Sequence, residues 1–154
     1  MESVIFNRLC DFSSPAAKRN ALPIAKAIKP FLPGTGLVLE VASGSGFHAA
    51  VLADLAPQLN WLPSEKDGEG TAFIEQVVTK SDLPNLLVPV ILDVTADRWP
   101  VVVVNAVFCS NMLHISPWPA SAALFKGSSK LLNSGENLII YGPFTVNSEH
   151  TSQS

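Results

Sequence analysis

Along the chain, apolar and polar positions alternate in blocks that predict helices and strands in regular succession. Residues 14–32, SPAAKRNALPIAKAIKPFL, space their apolar side chains as a helix does, with Asn20 placed to cap a second segment whose first turn holds Pro23. LPGTG at 32–36 breaks that helix. LVLEVA at 37–42 is a short, almost wholly apolar strand, and residues 46–56, rich in Ala and Leu, form a helix. A second strand is expected around NWLP (60–63), followed by an amphipathic helix over 68–81. LLVPVIL (86–92) reads as a third strand that Pro89 confines to a sheet edge. VVVVNAVFC (101–109) carries the strongest strand signal. Ser116 and Pro117 supply an N-cap and first-turn proline for a helix running to Leu132, which NSG (133–135) ends, and NLIIY (137–141) is the fifth strand. The polar end predicts a loose tail over 145–154.

Strands this apolar, separated by helices, predict a parallel sheet covered on both faces. The expected class is α/β, one domain over 1–154 with an N-terminal helical segment (1–34), a core (35–144) and the tail. Ligands in such folds sit at the carboxyl ends of the strands. That rule brings residues 42–46, 64–67, 93–95 and 110–115 to one rim.

Composition narrows the setting. Of 154 residues, 47% are hydrophobic and 15% charged, enough apolar surface to build a sizeable core. A net charge of −3 offers no basic footprint for nucleic acid and suits a small molecule or a basic partner. The three apolar residues at 4–6 are too few for a signal peptide, and no stretch approaches the roughly 20 residues that cross a bilayer. Cys10 and Cys109 fit no metal-binding spacing; Cys109, inside an apolar run, reads as a buried reduced thiol. The expected compartment is cytoplasmic or nuclear, with no membrane partner.

Candidate chemistry concentrates in VLEVASGSGFHA. Gly44 and Gly46 bare the backbone to a ligand, and the helix beginning near Phe47 aims free N–H groups at it. Gly44 to Ala49 also fits the dinucleotide pattern G-x-G-x-x-A, with Glu65, about 20 residues on, placed as a ribose carboxylate. The glycines alone therefore leave NAD and other adenosine ligands open. Glu40 tilts the choice, because a pyrophosphate gains nothing from a carboxylate there, whereas an ammonium or sulfonium does. Asp93, in LDVT, adds an acidic group suited to accept from an exocyclic amine.

The blocks AAKRNALPI, VLEVASGSGFHA, WLPSEKD, LDVT, AVFCSNMLHISPW and LIIYGPF, in that order from about residue 15 onward, resemble the methyltransferase-like protein 26 family. The resemblance implies a Rossmann-like class I methyltransferase sheet and S-adenosylmethionine as cofactor, with S-adenosylhomocysteine as product. It implies that Ala42, Gly44 and Gly46 form the loop under the methionine moiety, with Glu40 behind it. Glu65 would hold the ribose hydroxyls, Asp93 and Val94 would meet the adenine, and Asn111 and Met112 would line the floor beside the sulfonium. Arg19 is a further candidate for the methionine carboxylate, and His48 for a ligand contact. The family has Asp where this chain has Glu65 and Asn105. Family members also continue past this chain's end into the last strands of a seven-stranded sheet, so the chain is read as shortened at its C-terminus.

His114, following the fourth strand, is the candidate general base; helix packing and loop hydrogen bonds are the structural alternatives for the histidines. The expected reaction is direct displacement at the methyl carbon, driven mainly by alignment. Three readings stand: a methyltransferase of unknown acceptor, a shortened non-catalytic binding module, and a nicotinamide-dependent oxidoreductase. A fifth strand with nothing beyond it predicts self-association through its free edge.

Overall fold

The computed structural model describes residues 4–150. Five parallel strands form the central sheet: β1 (Gly36–Val41), β2 (Leu59–Glu65), β3 (Val90–Ile91), β4 (Ala106–Ser110) and β5 (Asn137–Tyr141), in the order β3-β2-β1-β4-β5. Helices α1 (Val4–Arg8), α2 (Pro15–Ile28), α3 (Phe47–Leu55) and α4 (Gly68–Ser81) pack on one face around Val38, Trp61 and Phe108, while α5 (Trp118–Leu131) and the 92–104 connection cover the other around Leu39, Val41 and Val107. This is the parallel sheet covered on both faces that the apolar strands predict. Consecutive residues of β1 point to opposite faces, so both cores draw on the same six-residue strand.

The helix over 68–81 and the strand over 137–141 form with the expected bounds. Asp67 caps α4, its Oδ1 accepting from the Gly70 N–H at 2.8 Å. Elsewhere the local chemistry moved the boundaries. The helix expected from residue 14, α2, is one element through Asn20 and Pro23, capped by Ser14, whose Oγ accepts from the Ala17 N–H at 3.1 Å; Asn20 lies inside it and is no cap. Pro23 costs α2 one internal N–H, and the helix persists because Ala21, Ile24 and Ile28 are buried.

At the sheet edge β3 keeps only two paired residues, since Pro89 has no N–H to give the ladder. A second pairing point flanks Trp61, which donates its N–H to the Asn85 carbonyl and accepts from Leu87, both at 2.8 Å. The largest correction concerns 101–109. Only residues from Ala106 onward join the sheet as β4, because Asn105 ends the ladder: its N–H donates to Leu37 O at 2.8 Å and its Oδ1 accepts from Leu37 N–H at 2.9 Å. Upstream, Val101 and Val104 turn into the α5-side core while Val102 and Val103 face solvent, so the valine run packs and does not pair. α5 likewise starts one residue late, with Pro117 at the cap position and Ser116 outside it, since Pro119 already occupies a first-turn position that needs no N–H donor. Residues read as the start of a loose tail instead make a small antiparallel hairpin, β6 (Thr145–Val146) with β7 (Glu149–His150); 151–154 lie outside the described residues.

Candidate functional site

At the carboxyl ends of β1 to β4 the helices diverge and leave a cleft of about 730 Å³. Its floor is the turn after β1. Ala42 (φ 56°), Gly44 (φ 58°) and Gly46 (φ 77°) all adopt left-handed backbone. For Ala42 that conformation costs about 1–2 kcal/mol, strain concentrated where the backbone faces the cleft. Asn111, at the end of β4, is a second such residue (φ 57°), held by its N–H on the Tyr141 carbonyl at 2.8 Å. Gly46 does not line the cleft. It is buried under α4, where a Cβ would come within 3.0 Å of Ile74, and it lets α3 begin at Phe47.

The turn is stitched to β2. Ser43 N–H donates to Ser64 O at 2.8 Å, Ser64 N–H returns a bond to Ser43 Oγ at 3.1 Å, and Ser64 Oγ donates to Glu40 O at 2.7 Å. Glu65 then reaches over the rim, its two carboxylate oxygens accepting from the N–H groups of Gly44 and Lys66, each at 3.0 Å. This carboxylate bridges the ends of the first two strands, where the expected ribose ligand would lie.

Glu40 is in place but differs in charge from expectation. It is 2% exposed, and its Oε2 accepts from the Trp61 indole N–H at 2.6 Å. Burial pushes its pKa up to about 8, against a smaller opposing effect of that bond. At neutral pH Glu40 is therefore a neutral, hydrogen-bonding carboxyl, and the fixed negative charge expected beside a cation is absent. Asp93, on the same rim, is exposed, and its Oδ1 accepts from Thr95 Oγ at 2.7 Å and Thr95 N–H at 2.8 Å. Those bonds, with a smaller effect of Lys66, hold it below the usual carboxylate range.

Val94 and Met112 supply apolar wall, and His48 closes the back of the cleft, its Nε2 bonded to the Ala17 carbonyl at 3.0 Å. A carbonyl partner makes that nitrogen the N–H donor, and burial lowers the pKa, so the ring is neutral. Two expected residues are elsewhere. Arg19 is exposed on α2 and does not line the cleft, and His114 lies on the opposite side of the 111–118 segment, beside Gly142. Ser43, Lys66, Thr95 and Ile115 fall in the segments expected on this rim, though none was singled out as a site residue; the wall from Ser116 to Ala120 lies beyond them and was missed. Thr95 was within reach, since Asp-x-Thr favours the local turn seen here. Cys109 is buried, with its thiol pushed up to about 12 chiefly by burial, which leaves it unreactive.

Solved structures of low sequence identity share this fold. One is coclaurine N-methyltransferase, bound to N-methylheliamine and SAH: TM-score 0.64, 11% identity, covering 78% of this chain and 35% of that one. The S-adenosylmethionine-dependent methyltransferase SibL, in apo form, gives 0.74 and 19%, covering 89% and 39%. A protein from Pyrococcus horikoshii OT3 gives 0.73 and 12%, covering 85% and 60%. The chain thus spans less than two thirds of the length of each. Its sheet is that of the Rossmann-like class I methyltransferases. A family model described as protein of unknown function (DUF938) matches residues 11–154, and with nearly the whole chain inside that match, the protein belongs to the DUF938 family.

Proposed function

We propose that the cleft binds S-adenosylmethionine and that the chain, a relative of the methyltransferase-like protein 26 family, serves methyl transfer to an acceptor. The observation that carries the reading is the strained 42–46 turn with the Glu65 carboxylate bonded across it to Gly44, and Asp93 on the same rim. A bound nucleoside would take over the Glu65 oxygens with its ribose hydroxyls, and Asp93 would accept from the adenine amine. The SAH reported in the coclaurine N-methyltransferase structure supports this assignment. Unpaired Cys10 and Cys109 support a cytoplasmic or nuclear setting. Self-association through the outer edge of β5 belongs to the same proposal.

Isothermal titration calorimetry with S-adenosylhomocysteine and with NAD tests the cofactor. S-adenosylhomocysteine is expected to bind, and Glu65→Ala to weaken it by about 1–3 kcal/mol through lost hydrogen bonds to the ribose. Affinity for NAD with none for S-adenosylhomocysteine would overturn the proposal.

A further inference from the structure

Beside the cleft, the connection over 94–102 and α5 enclose a groove of about 540 Å³, within the roughly 300–1,000 Å³ of small-molecule pockets. Trp99 forms one wall. Its indole N–H donates to the Val94 carbonyl at 3.2 Å, and its ring lies against the bare Cα of Gly127, where a Cβ would overlap it. Val101, Leu131 and Val102, the last 87% exposed, add apolar surface. Arg98, Lys126 and Lys130 line the same groove, and Asp97 is its one acidic residue. Among the described residues, none of the three cationic side chains has an ion-pair or hydrogen-bond partner. Lys126 and Lys130 stand one turn apart on α5, a like-charge spacing that disfavours a helix. Three positive charges less one negative leave a local excess of +2, on a chain whose net charge is −3.

We infer that this groove is a second ligand site and that its ligand is a small aryl phosphate, a phosphate monoester on an aromatic ring. A phosphate monoester carries about −1.5 to −2 charges at pH 7, which matches the local excess. Its oxygens accept charge-assisted hydrogen bonds from the guanidinium and the two ammonium groups. The ring takes the apolar surface of Trp99 and the valines. A carboxylate, with a single charge, would leave the groove half neutralised, and an ammonium would meet three like charges. Val94, Thr95 and Pro119 line both the groove and the cleft, whereas Arg98, Lys126 and Lys130 line the groove alone. The two ligands therefore occupy adjacent volumes, and the second site stands whether or not the cleft holds S-adenosylmethionine.

NMR titration with phenyl phosphate, followed at the Trp99 indole N–H and the Gly127 amide, tests the site. Saturable shifts are expected, at least tenfold weaker with inorganic phosphate, with phenol and with benzylamine, and weakened by added salt. Lys126 and Lys130 are exposed, so the double variant Lys126→Gln, Lys130→Gln leaves the core intact. It should bind phenyl phosphate at least tenfold more weakly, with the rest of the amide spectrum unchanged. Absence of saturable shifts, or equal affinity in the double variant, overturns the site. Inorganic phosphate binding as tightly as phenyl phosphate reduces the groove to an anion patch and overturns the aryl ligand. Displacement of phenyl phosphate by saturating S-adenosylhomocysteine would put it in the cleft and also overturn the proposal. Failure of S-adenosylhomocysteine to bind, with the phenyl phosphate shifts kept, overturns the cofactor reading and supports an independent second site.

Discussion

Between pH 7 and 8 the buried Glu40 carboxyl still holds a proton that the unfolded chain gives up near 4.5, because its pKa in the folded protein is raised to about 8. The folded state binds more protons in that window, so raising the pH favours unfolding. The stabilisation is complete below about 4.5 and is lost as the pH rises through about 8. His48, with its pKa lowered from 6.5, acts in the opposite sense, and only below that value. Stability is therefore expected to fall by about 1 kcal/mol from pH 7 to 8. Glu40→Gln, which keeps an oxygen for Trp61, should abolish the fall; urea denaturation at both pH values measures it, and an equal slope in the variant would refute the assignment. The carboxylates of the rim were legible from strand ends and spacing. Their charge states were not, since these depend on what buries each one. Asn105 makes a related point. Its Nδ2 donates to Glu136 Oε1 at 3.1 Å, so the aspartate of the resembling family would here set two carboxylates against each other.

At the scale of elements, periodicity located all five sheet strands and the helices between them, because burial on one or both faces fixes that pattern. It failed at ends, where single hydrogen bonds decide. Ser14, not Asn20, starts α2, and this can be measured. Ser14→Ala should cost about 1 kcal/mol, whereas Asn20→Ala should stay within about 0.5 kcal/mol, as judged by thermal or urea unfolding. Equal effects would mean that the helix is capped differently. The valine run was misread for a physical reason. Apolar continuity records burial, and Val101 and Val104 are drawn into the α5-side core by packing alone. Nothing in the local sequence separates a buried strand from a buried connection.

Over the whole molecule, the strand order follows from parallel crossovers, and the rim follows from the strand order. What stayed illegible is how the far wall, Ser116 to Ala120, reaches the cleft, since a proline-rich turn held by local bonds to Met112 carries no hydrophobic period. The outer edge of β5 pairs with no strand among the described residues. Its free N–H and C=O groups, with Leu138 and Ile140 only partly buried, are a template for a second strand. Size-exclusion chromatography with light scattering should show mass rising with protein concentration; a constant monomer mass across the range would contradict this.

His48 faces the cleft with one side of its ring and holds the carbonyl of Ala17 with the other, so helix α2 forms part of the back of the site without touching a ligand. Opening α2 and emptying the cleft then become one equilibrium. A ligand at 100 times its dissociation constant stabilises the bound state by about 2.7 kcal/mol. Backbone amides in the middle of α2 should accordingly exchange with deuterium about 100-fold more slowly under saturating S-adenosylhomocysteine, though they lie outside the cleft. Unchanged α2 rates beside slowed rates in α3 would show that the N-terminal helices open independently. If they slow together, the order of α2 reports on whether the site is filled.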